Sequence, residues 1–290
     1  MEKMRKNRAL LTLVGIIIIV AGIITLTVRN NNSAKNSDTI TIGSIGSDVQ
    51  IWKHIANLPE VKKEHLNIKV KSFTDGVSLN TATAENKIDV NAFQSYAYYV
   101  AFNKNNKNEK LAALGTTYLE PMGIYSSKYK RVKDIPNGST IALADNPANT
   151  ARGLKLLEKA GLIKLKSDFG SLSGTSAIAD NPHNFKFKEI DDTTGPRIMK
   201  DNSIAAVLIG NTIALEGKLN VLKDSIYHEE VNQSTKENIN ILATSERNKD
   251  NKKYKKLLKV YHSAKVQKYI KDKFDGTKIQ VQKPLSYFAD

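Results

Sequence analysis

The sequence predicts an α/β protein of two lobes that follows a membrane-spanning helix. Three observations support this prediction. The chain has 290 residues, which is enough for two domains. Short β-rich apolar runs alternate with amphipathic helical stretches, a pattern typical of βαβ units and a largely parallel sheet. A charge-free apolar run follows a basic N-terminus and is long enough to cross a membrane.

The apolar run extends from Ala9 to Val28. A helix of this length spans the ~30 Å hydrocarbon core of a bilayer. Four basic residues precede it, and such a flank stays cytoplasmic, so the rest of the chain is expected outside the membrane. We predict a basic flank and retained signal anchor in residues 1–30 and a polar linker in residues 31–38. A cleaved signal peptide is the competing interpretation.

The composition excludes several classes of site. The chain has no Cys, which removes disulfides, thiolate catalysis, Cys-based zinc sites and a lipid-modified Cys anchor. The five His residues are scattered without metal-ligand spacing, so no metal is expected. The net charge of +15 comes mostly from dispersed lysines without a nucleic-acid motif, so no nucleic-acid partner is predicted.

Signatures of catalysis are missing from the sequence. It contains no phosphate-binding loop, dinucleotide fingerprint, zinc-protease motif or nucleophile elbow. Asp191 and Asp192 are adjacent, but neighbouring carboxylates point apart, and we interpret the pair as a solvated turn. The sequence therefore predicts no enzyme and no cofactor.

Residues 39–122 contain the first set of predicted elements. Apolar or alternating β-rich runs predict strands, and apolar residues at helical spacing predict helices. The predicted strands are Thr39–Ile42, Ile68–Phe73 and Ile88–Ala92, and the predicted helices begin near Val49, Val77 and Tyr96.

Residues 123–239 contain the second set. The predicted strands are Gly123–Ser126, Ser139–Ala144, Phe185–Ile190 and Ile204–Ile209, and the strongest predicted helix is Asn149–Ala160. Another strand, Asn238–Thr244, and two amphipathic helices follow.

Two α/β sets on one chain indicate two lobes with a ligand between them. We predict that residues 39–122 and 240–290 form lobe 1 and that residues 123–239 form lobe 2. Open parallel sheets bind ligands at the carboxyl ends of their strands, and the polar and aromatic candidates follow predicted strands.

The first candidate binding group lies at the start of the helix near Asn149. Asn146 is suited to the N-cap and Pro147 to the first helical position. Asn149 and Arg152 then share one face near a helix N-terminus, which favours anions. The fork of an Arg guanidinium matches a carboxylate with two parallel hydrogen bonds, although a surface arginine is the alternative interpretation.

Aromatic and amide side chains provide further candidates. Phe93 and Tyr98 belong to an aromatic cluster at a strand end, where they form either an apolar pocket wall or part of an ordinary core. Asn211 and Asn240 also lie at strand ends, as caps or as ligand contacts.

Several motifs occur in an order that resembles a known family. They are DVNAFQ, EPMGIYS, DNPANTARGLKLLEKAGLIKL, AAVLIGNTIA and NILATSERNKD. In this order they resemble the NlpA-type methionine-binding lipoprotein family, the substrate-binding subunits of methionine ABC importers. The resemblance extends from about Thr39 to the C-terminal helices.

The resemblance implies a type II periplasmic-binding-protein fold that closes on its ligand. It implies that Arg152 holds the ligand carboxylate with Asn149 beside it, and that aromatic side chains pack against the thioether. It assigns the α-amino group to amide side chains. An ABC permease and its ATPase are the implied partners. The residues implied for the aromatic and amide contacts are Phe93, Tyr98, Asn240, and Asn211 or its neighbour.

Four departures from the family pattern affect the expected ligand. The lipid-bearing Cys is missing, and the retained helix would replace it. Ser95 stands where the family commonly has His, and Gly76 stands where it commonly has an aromatic residue. The family's Asn aligns with Gly210, one residue before Asn211. We expect a roomier pocket for L-methionine, a related apolar amino acid or a Met-containing dipeptide.

A second functional hypothesis comes from the charge. A basic protein anchored at the cell surface is also suited to bind anionic cell-envelope polymers. Saturable binding of a small molecule distinguishes the first hypothesis from this one, which predicts salt-sensitive binding to polyanions.

Overall fold

A computed structural model describes residues 39–289. The predicted signal anchor and linker, residues 1–38, lie outside the described residues. Within residues 39–289, no helix combines the length and the apolar character needed to cross a bilayer.

The elements follow in chain order. The first part contains β1 (Thr39–Ile45), α1 (Asp48–Ala56), α2 (Pro59–Lys63), β2 (Asn67–Phe73), α3 (Gly76–Ala84), β3 (Val90–Ser95), α4 (Tyr96–Asn105), β4 (Leu111–Thr116), β5 (Tyr118–Leu119) and β6 (Met122–Tyr125). The central part contains β7 (Thr140–Ala144), α5 (Pro147–Lys159), β8 (Lys164–Leu165), β9 (Ile178–Asp180), β10 (Lys186–Ile190), α6 (Gly195–Ile198), β11 (Ile204–Gly210), α7 (Asn211–Glu216), α8 (Val221–Asp224) and β12 (Tyr227–His228). The last part contains β13 (Asn240–Ser245), α9 (Lys252–Tyr261), α10 (Ala264–Lys273) and β14 (Ile279–Gln280).

Two five-stranded sheets organise the described residues. The first has the order β2-β1-β3-β13-β4, and the second has the order β10-β7-β11-β6-β12. In the first sheet β1 pairs with β3 in parallel, with Ile42 opposite Val90. In the second sheet β7 lies between β10 and β11, parallel to both.

The sheets contain the expected parallel pairs, but each sheet is mixed because one of its strands opposes its neighbours. Strand β13 is antiparallel to both β3 and β4, and β6 is antiparallel to both β11 and β12. A parallel connection within one sheet needs a crossover that is usually a helix, whereas β6 and β13 each follow a connection from the other sheet. They therefore enter their sheets in the opposite direction to the βαβ strands.

The chain passes between the two sheets twice. It leaves the first sheet after Thr116 and enters the second at Met122. It leaves the second sheet after His228 and returns at Asn240. The predicted lobe limits lie at these connections, and their division into rigid bodies stays a prediction.

Strand β4 is absent from the sequence-based prediction. Its residues Leu111–Thr116 have low intrinsic β-propensity because they include two alanines and a glycine. A Cβ on Gly115 would lie 2.5 Å from Cδ1 of Leu258 on α9, so the strand lies close against this helix. Pairing with β13 and packing against α9 therefore stabilise the extended conformation of these residues.

Each sheet has its own apolar core. Trp52 of α1 and Tyr261 of α9 pack under the first sheet with ring centroids 5.8 Å apart, and both are buried. Leu154 and Leu157 of α5 are fully buried beneath the second sheet. The amphipathic pattern of α5 thus places its N-terminus at the end of β7, which positions the candidate site.

Candidate ligand-binding site

A cavity of about 90 Å³ lies at the carboxyl ends of four strands. Residues at or next to the ends of β1, β3, β7 and β11 line it: Ile45, Ser95, Ala144 and Gly210. The first two strands belong to one sheet and the last two to the other. The cavity therefore lies between the two sheets, where the sequence predicts a ligand.

Two aromatic rings form part of the apolar wall of the cavity. Phe93 and Tyr98 contact each other edge to face, with centroids 5.6 Å apart and planes at 75°. Both line the cavity. Burial raises the pKa of Tyr98, and the nearby Asp192 raises it further, so the hydroxyl stays neutral. The pair provides a flat apolar surface with one polar edge.

The expected extra room at Gly76 is wrong. A Cβ at this position would lie 2.6 Å from the Tyr98 hydroxyl and 2.8 Å from Cε2 of Phe93. The two rings already occupy the space that a larger side chain would fill. Open space lies instead at Gly210, where no heavy atom lies within 4 Å of the Cβ position.

Ser95 lines the cavity and also begins a helix. It is the N-cap of α4, and its Oγ accepts a hydrogen bond of 3.2 Å from the backbone N–H of Tyr98. This bond fixes the start of the helix that carries the Tyr98 ring. The sequence pattern led us to expect an effect of Ser95 on pocket size only, and its role as a helix N-cap was missed.

Arg152 lines the cavity from α5 and is 8% exposed. Its Nε and Nη2 donate to the two carboxylate oxygens of Glu229 at 2.9 and 2.6 Å, and Nη2 also donates to the Glu120 carbonyl oxygen. Nη1 has no acceptor among the described residues. The guanidinium is therefore held by Glu229 and the Glu120 carbonyl oxygen through Nε and Nη2.

Asn149 lies one turn before Arg152 on α5 and also lines the cavity. Its backbone N–H donates to Oδ1 of Asn146, the predicted N-cap, at 2.9 Å. Its side-chain amide donates to Oδ2 of Asp192 at 2.6 Å. Asn149 thus connects the helix N-terminus to an acidic side chain.

Asn240 begins β13 opposite Ser95 and lines the cavity. Its side-chain amide is assigned from its neighbours, with the nitrogen 3.2 Å from the carbonyl oxygens of Phe93 and Gln94. This orientation ties the Asn240 amide to the end of β3, beside the two aromatic rings.

The structure does not place Asn211 in the cavity lining, so its prediction as a ligand contact is corrected. Asn211 is fully buried, and its amide donates to Oε2 of Glu120 at 2.9 Å and to Thr277 at 3.1 Å. The preceding Gly210 lines the cavity instead. Because α7 begins immediately after β11, one position along the chain turns the side chain away.

Asp192 is a site residue that the sequence analysis misinterpreted. Asp191 is exposed and caps the following turn, as expected of a solvated residue. Asp192 is half-buried and lines the cavity, where its Oδ2 accepts hydrogen bonds from Asn149 and Asn146. The two carboxylates do point apart, but the second one points inward. Its position directly after a predicted strand was the available signal.

A buried ionic cluster borders the cavity behind Glu120. Nζ of Lys278 lies 2.7 Å from Oε2 of Glu120, 2.9 Å from Oδ1 of Asp48 and 2.6 Å from the hydroxyl of Thr212. Burial acts to raise the pKa of Glu120, but the contact with Lys278 outweighs it and the pKa is lowered. For Asp48 the effect of burial is the larger one, and the pKa is raised. The cluster joins the start of α1, the first connection between the sheets and α7.

The described part of the chain contains no group of three His, Asp or Glu side chains placed to share a metal ion. The polar groups of the cavity are instead hydrogen-bond donors and acceptors arranged around one aromatic wall. Such a mixture of a few polar groups and apolar surface is typical of sites for small organic ligands.

Residues 40–282 match the family model described as NlpA lipoprotein. The chain belongs to the NlpA lipoprotein family. This result confirms the resemblance recognised in the sequence motifs. The chain is 34% identical over 270 residues to a protein named methionine-binding lipoprotein MetQ from Bacillus subtilis, covering 92% of this chain and 96% of that protein. It is 33% identical over 242 residues to the D-methionine-binding lipoprotein MetQ of Escherichia coli, covering 83% and 88%.

Solved structures of family relatives have the same fold. A nutrient-binding protein from Burkholderia cenocepacia bound to methionine is 34% identical, with a TM-score of 0.78 and coverage of 83% of this chain and 99% of that chain. Protein PG110 from Staphylococcus aureus is 34% identical, with a TM-score of 0.81 and coverage of 86% and 97%. The chain therefore has the two-lobed α/β fold of periplasmic-type binding proteins.

Proposed function

We propose that this protein is the substrate-binding subunit of an ABC importer and binds methionine, a related apolar amino acid or a Met-containing dipeptide between its lobes. The observation that carries the proposal is the pairing of Arg152 with an aromatic wall in one cavity at the carboxyl ends of four strands. Relatives named methionine-binding proteins, one of them solved with methionine bound, support the ligand class.

The proposed roles follow from the free groups of the cavity. Nη1 of Arg152 donates to the ligand carboxylate, while Glu229 holds the guanidinium in place. Phe93 and Tyr98 contact the apolar side chain. Oδ1 of Asn240 accepts from the α-amino group. These groups provide ligand contacts, and the proposed role is therefore binding for transport.

A ligand panel tests this function directly. A ligand that binds only the folded state at 100 times its Kd stabilises that state by about 2.7 kcal/mol, which shifts a thermal melt visibly. We expect L-methionine or glycyl-L-methionine to raise the melting temperature most among the amino acids and simple Met dipeptides. Binding to polyanions that weakens with salt, with no response to any of these ligands, supports the surface-interaction alternative instead.

Lobe closure is part of the proposal. A ligand held between lobes needs them to open and close, with residues 39–122 plus 240–290 moving against residues 123–239. The two connections between the sheets are the proposed hinges. Small-angle scattering should show a smaller radius of gyration when a ligand is bound. An unchanged radius with a ligand proven to bind contradicts the closing cleft.

The anchor is proposed on composition alone. The relatives are named lipoproteins, yet this sequence has no Cys to carry a lipid. We expect residues 9–28 to stay in the mature protein and to hold the globular part on the outer face of the membrane. The intact mass and N-terminal sequence of membrane-purified protein should include this segment. A mature chain that starts after Val28 contradicts the anchor.

Replacing Ser95 with His is expected to favour free L-methionine over glycyl-L-methionine, because the imidazole narrows the cavity. The same change removes the N-cap of α4 and costs about 1 kcal/mol of stability. Ser95→Ala is the matched control, since it removes the cap without filling the space. Isothermal titration with both ligands measures the preference. If both variants change the two affinities by one common factor, Ser95 does not select the ligand.

A further inference from the structure

Three charged side chains line the cavity, and two of them are neutralised by the protein. Glu120 pairs with Lys278 at 2.7 Å, and Arg152 pairs with Glu229 at 2.6 Å. The third, Asp192, accepts only from the neutral amides of Asn149 and Asn146 among the described residues. A partly buried carboxylate without a cation is unfavourable unless a ligand supplies the positive charge.

The Asp192 carboxylate is held in a fixed orientation. Both amide donors bind the same oxygen, Oδ2, at 2.6 and 3.0 Å. Oδ1 accepts no hydrogen bond from any residue in the described range. Burial raises the pKa of Asp192, and the hydrogen bonds from Asn149 and Asn146 offset only part of this rise. One oriented carboxylate oxygen is thus left for a donor in the cavity.

The position of this oxygen complements Arg152. Asn149, which holds Asp192, precedes Arg152 by one turn of α5, about 4.5 Å along the helix axis. Arg152 and Asp192 therefore both line the cavity near the start of one helix. A guanidinium donates hydrogen bonds, as a ligand carboxylate requires, and a carboxylate oxygen accepts them, as a ligand ammonium group requires.

This chain also has fewer side-chain amides available to the amino group of the ligand than the family resemblance implies. Asn211 is turned away and engaged by Glu120, and Gly210, which lines the cavity at that point, has no side chain. The position of Gly210 therefore offers the ligand no side-chain amide. Asn240 is then the amide that remains for the amino group.

We propose that Asp192 binds the ammonium group of the ligand and makes the site selective for zwitterionic amino acids or short peptides over N-acylated ones. This inference rests on the proposed function. It identifies the Asp192 carboxylate as the group of the same site that contacts the amino end of the ligand. Asp192 thereby sets specificity, whereas Arg152 provides the carboxylate contact.

The test is isothermal titration of the full chain with L-methionine, glycyl-L-methionine and N-acetyl-L-methionine. We expect Asp192→Asn to weaken binding of the tighter zwitterion at least ~10-fold, as expected for loss of a charge-assisted hydrogen bond. Binding of N-acetyl-L-methionine should hardly change, so the ratio of the two affinities should fall. Asp168→Asn is the matched control, because it removes an exposed carboxylate that does not line the cavity.

The possible outcomes distinguish a failure of the Asp192 inference from a failure of the proposed function. If the parent binds L-methionine but Asp192→Asn leaves the ratio unchanged, the inference fails while the proposed function stands. If the parent binds N-acetyl-L-methionine as tightly as L-methionine, the inference fails whatever the variant does, even if that variant does not fold. If the parent binds none of the three probes, the proposed function fails and the inference fails with it.

Discussion

Replacing Arg152 with Ala is expected to weaken binding of L-methionine by about 30- to 4000-fold. This range corresponds to the ~2–5 kcal/mol that truncation of one partner in a desolvated, charge-assisted pair typically costs. Arg152→Lys should rescue only part of the loss, because a single ammonium cannot contact Glu229, the Glu120 carbonyl and the ligand in the same geometry. Isothermal titration measures both variants.

The Arg152→Ala variant needs a control that separates loss of binding from loss of stability. Removing the guanidinium leaves Glu229 buried without its cation, so stability will fall as well as binding. The double variant Arg152→Met with Glu229→Gln removes both charges and should recover much of the stability. If it also recovers methionine binding, Arg152 only supports the fold and the carboxylate lies elsewhere.

A ligand analogue separates the same two roles without a mutation. L-methioninamide has no carboxylate, so the parent should bind it much more weakly than L-methionine. The Arg152 variants should bind both ligands with similar low affinity. Equal affinity of the parent for the two ligands contradicts the carboxylate contact.

Replacing Lys278 with Met should lower the free energy of unfolding by about 3–5 kcal/mol, the usual effect of removing one partner from a buried ion pair. The Lys278 side chain is 0% exposed and lies between the carboxylates of Asp48 and Glu120. Nζ of Lys278 also lies 4.2 Å from the centroid of the Tyr118 ring, a cation–π contact that Met lacks. Urea denaturation measures the change from the transition midpoint and slope.

An exposed lysine provides the control for this measurement. Lys268 forms a salt bridge with Asp272 on the surface of α10, and its side chain is 77% exposed. Lys268→Met should change stability by less than ~1 kcal/mol, because exposed ion pairs contribute little. If the two variants are equally stable, the buried cluster does not stabilise the connection between the sheets.

Short sequence patterns were sufficient to predict where helices begin, which helix faces are buried and where strands end. Asn146 and Pro147 mark the start of α5, and the apolar stripe with Leu154 and Leu157 fixes its buried face. Each predicted site residue except Asn211 lines the cavity, because strand ends and helix starts are readable from short patterns. Their ligand contacts stay predictions until binding is measured.

Long-range pairing explains what the sequence did not reveal. Asn149 and Asp192 are 43 positions apart, and Glu120 and Lys278 are 158 positions apart, so no local pattern joins them. Strand β4 depends on packing beneath α9. The error at Asn211 has a different cause, since a shift of one residue at the end of a strand turns a side chain to the other side.

A crystal structure of the chain with L-methionine, or with glycyl-L-methionine if that ligand binds more tightly, tests the central claim most directly. The account predicts the ligand carboxylate within hydrogen-bond distance of Nη1 of Arg152 and the thioether side chain against Phe93 and Tyr98. It also predicts the ligand ammonium beside Oδ1 of Asp192. A ligand bound outside this cavity, or inside it with its carboxylate away from Arg152, contradicts the account.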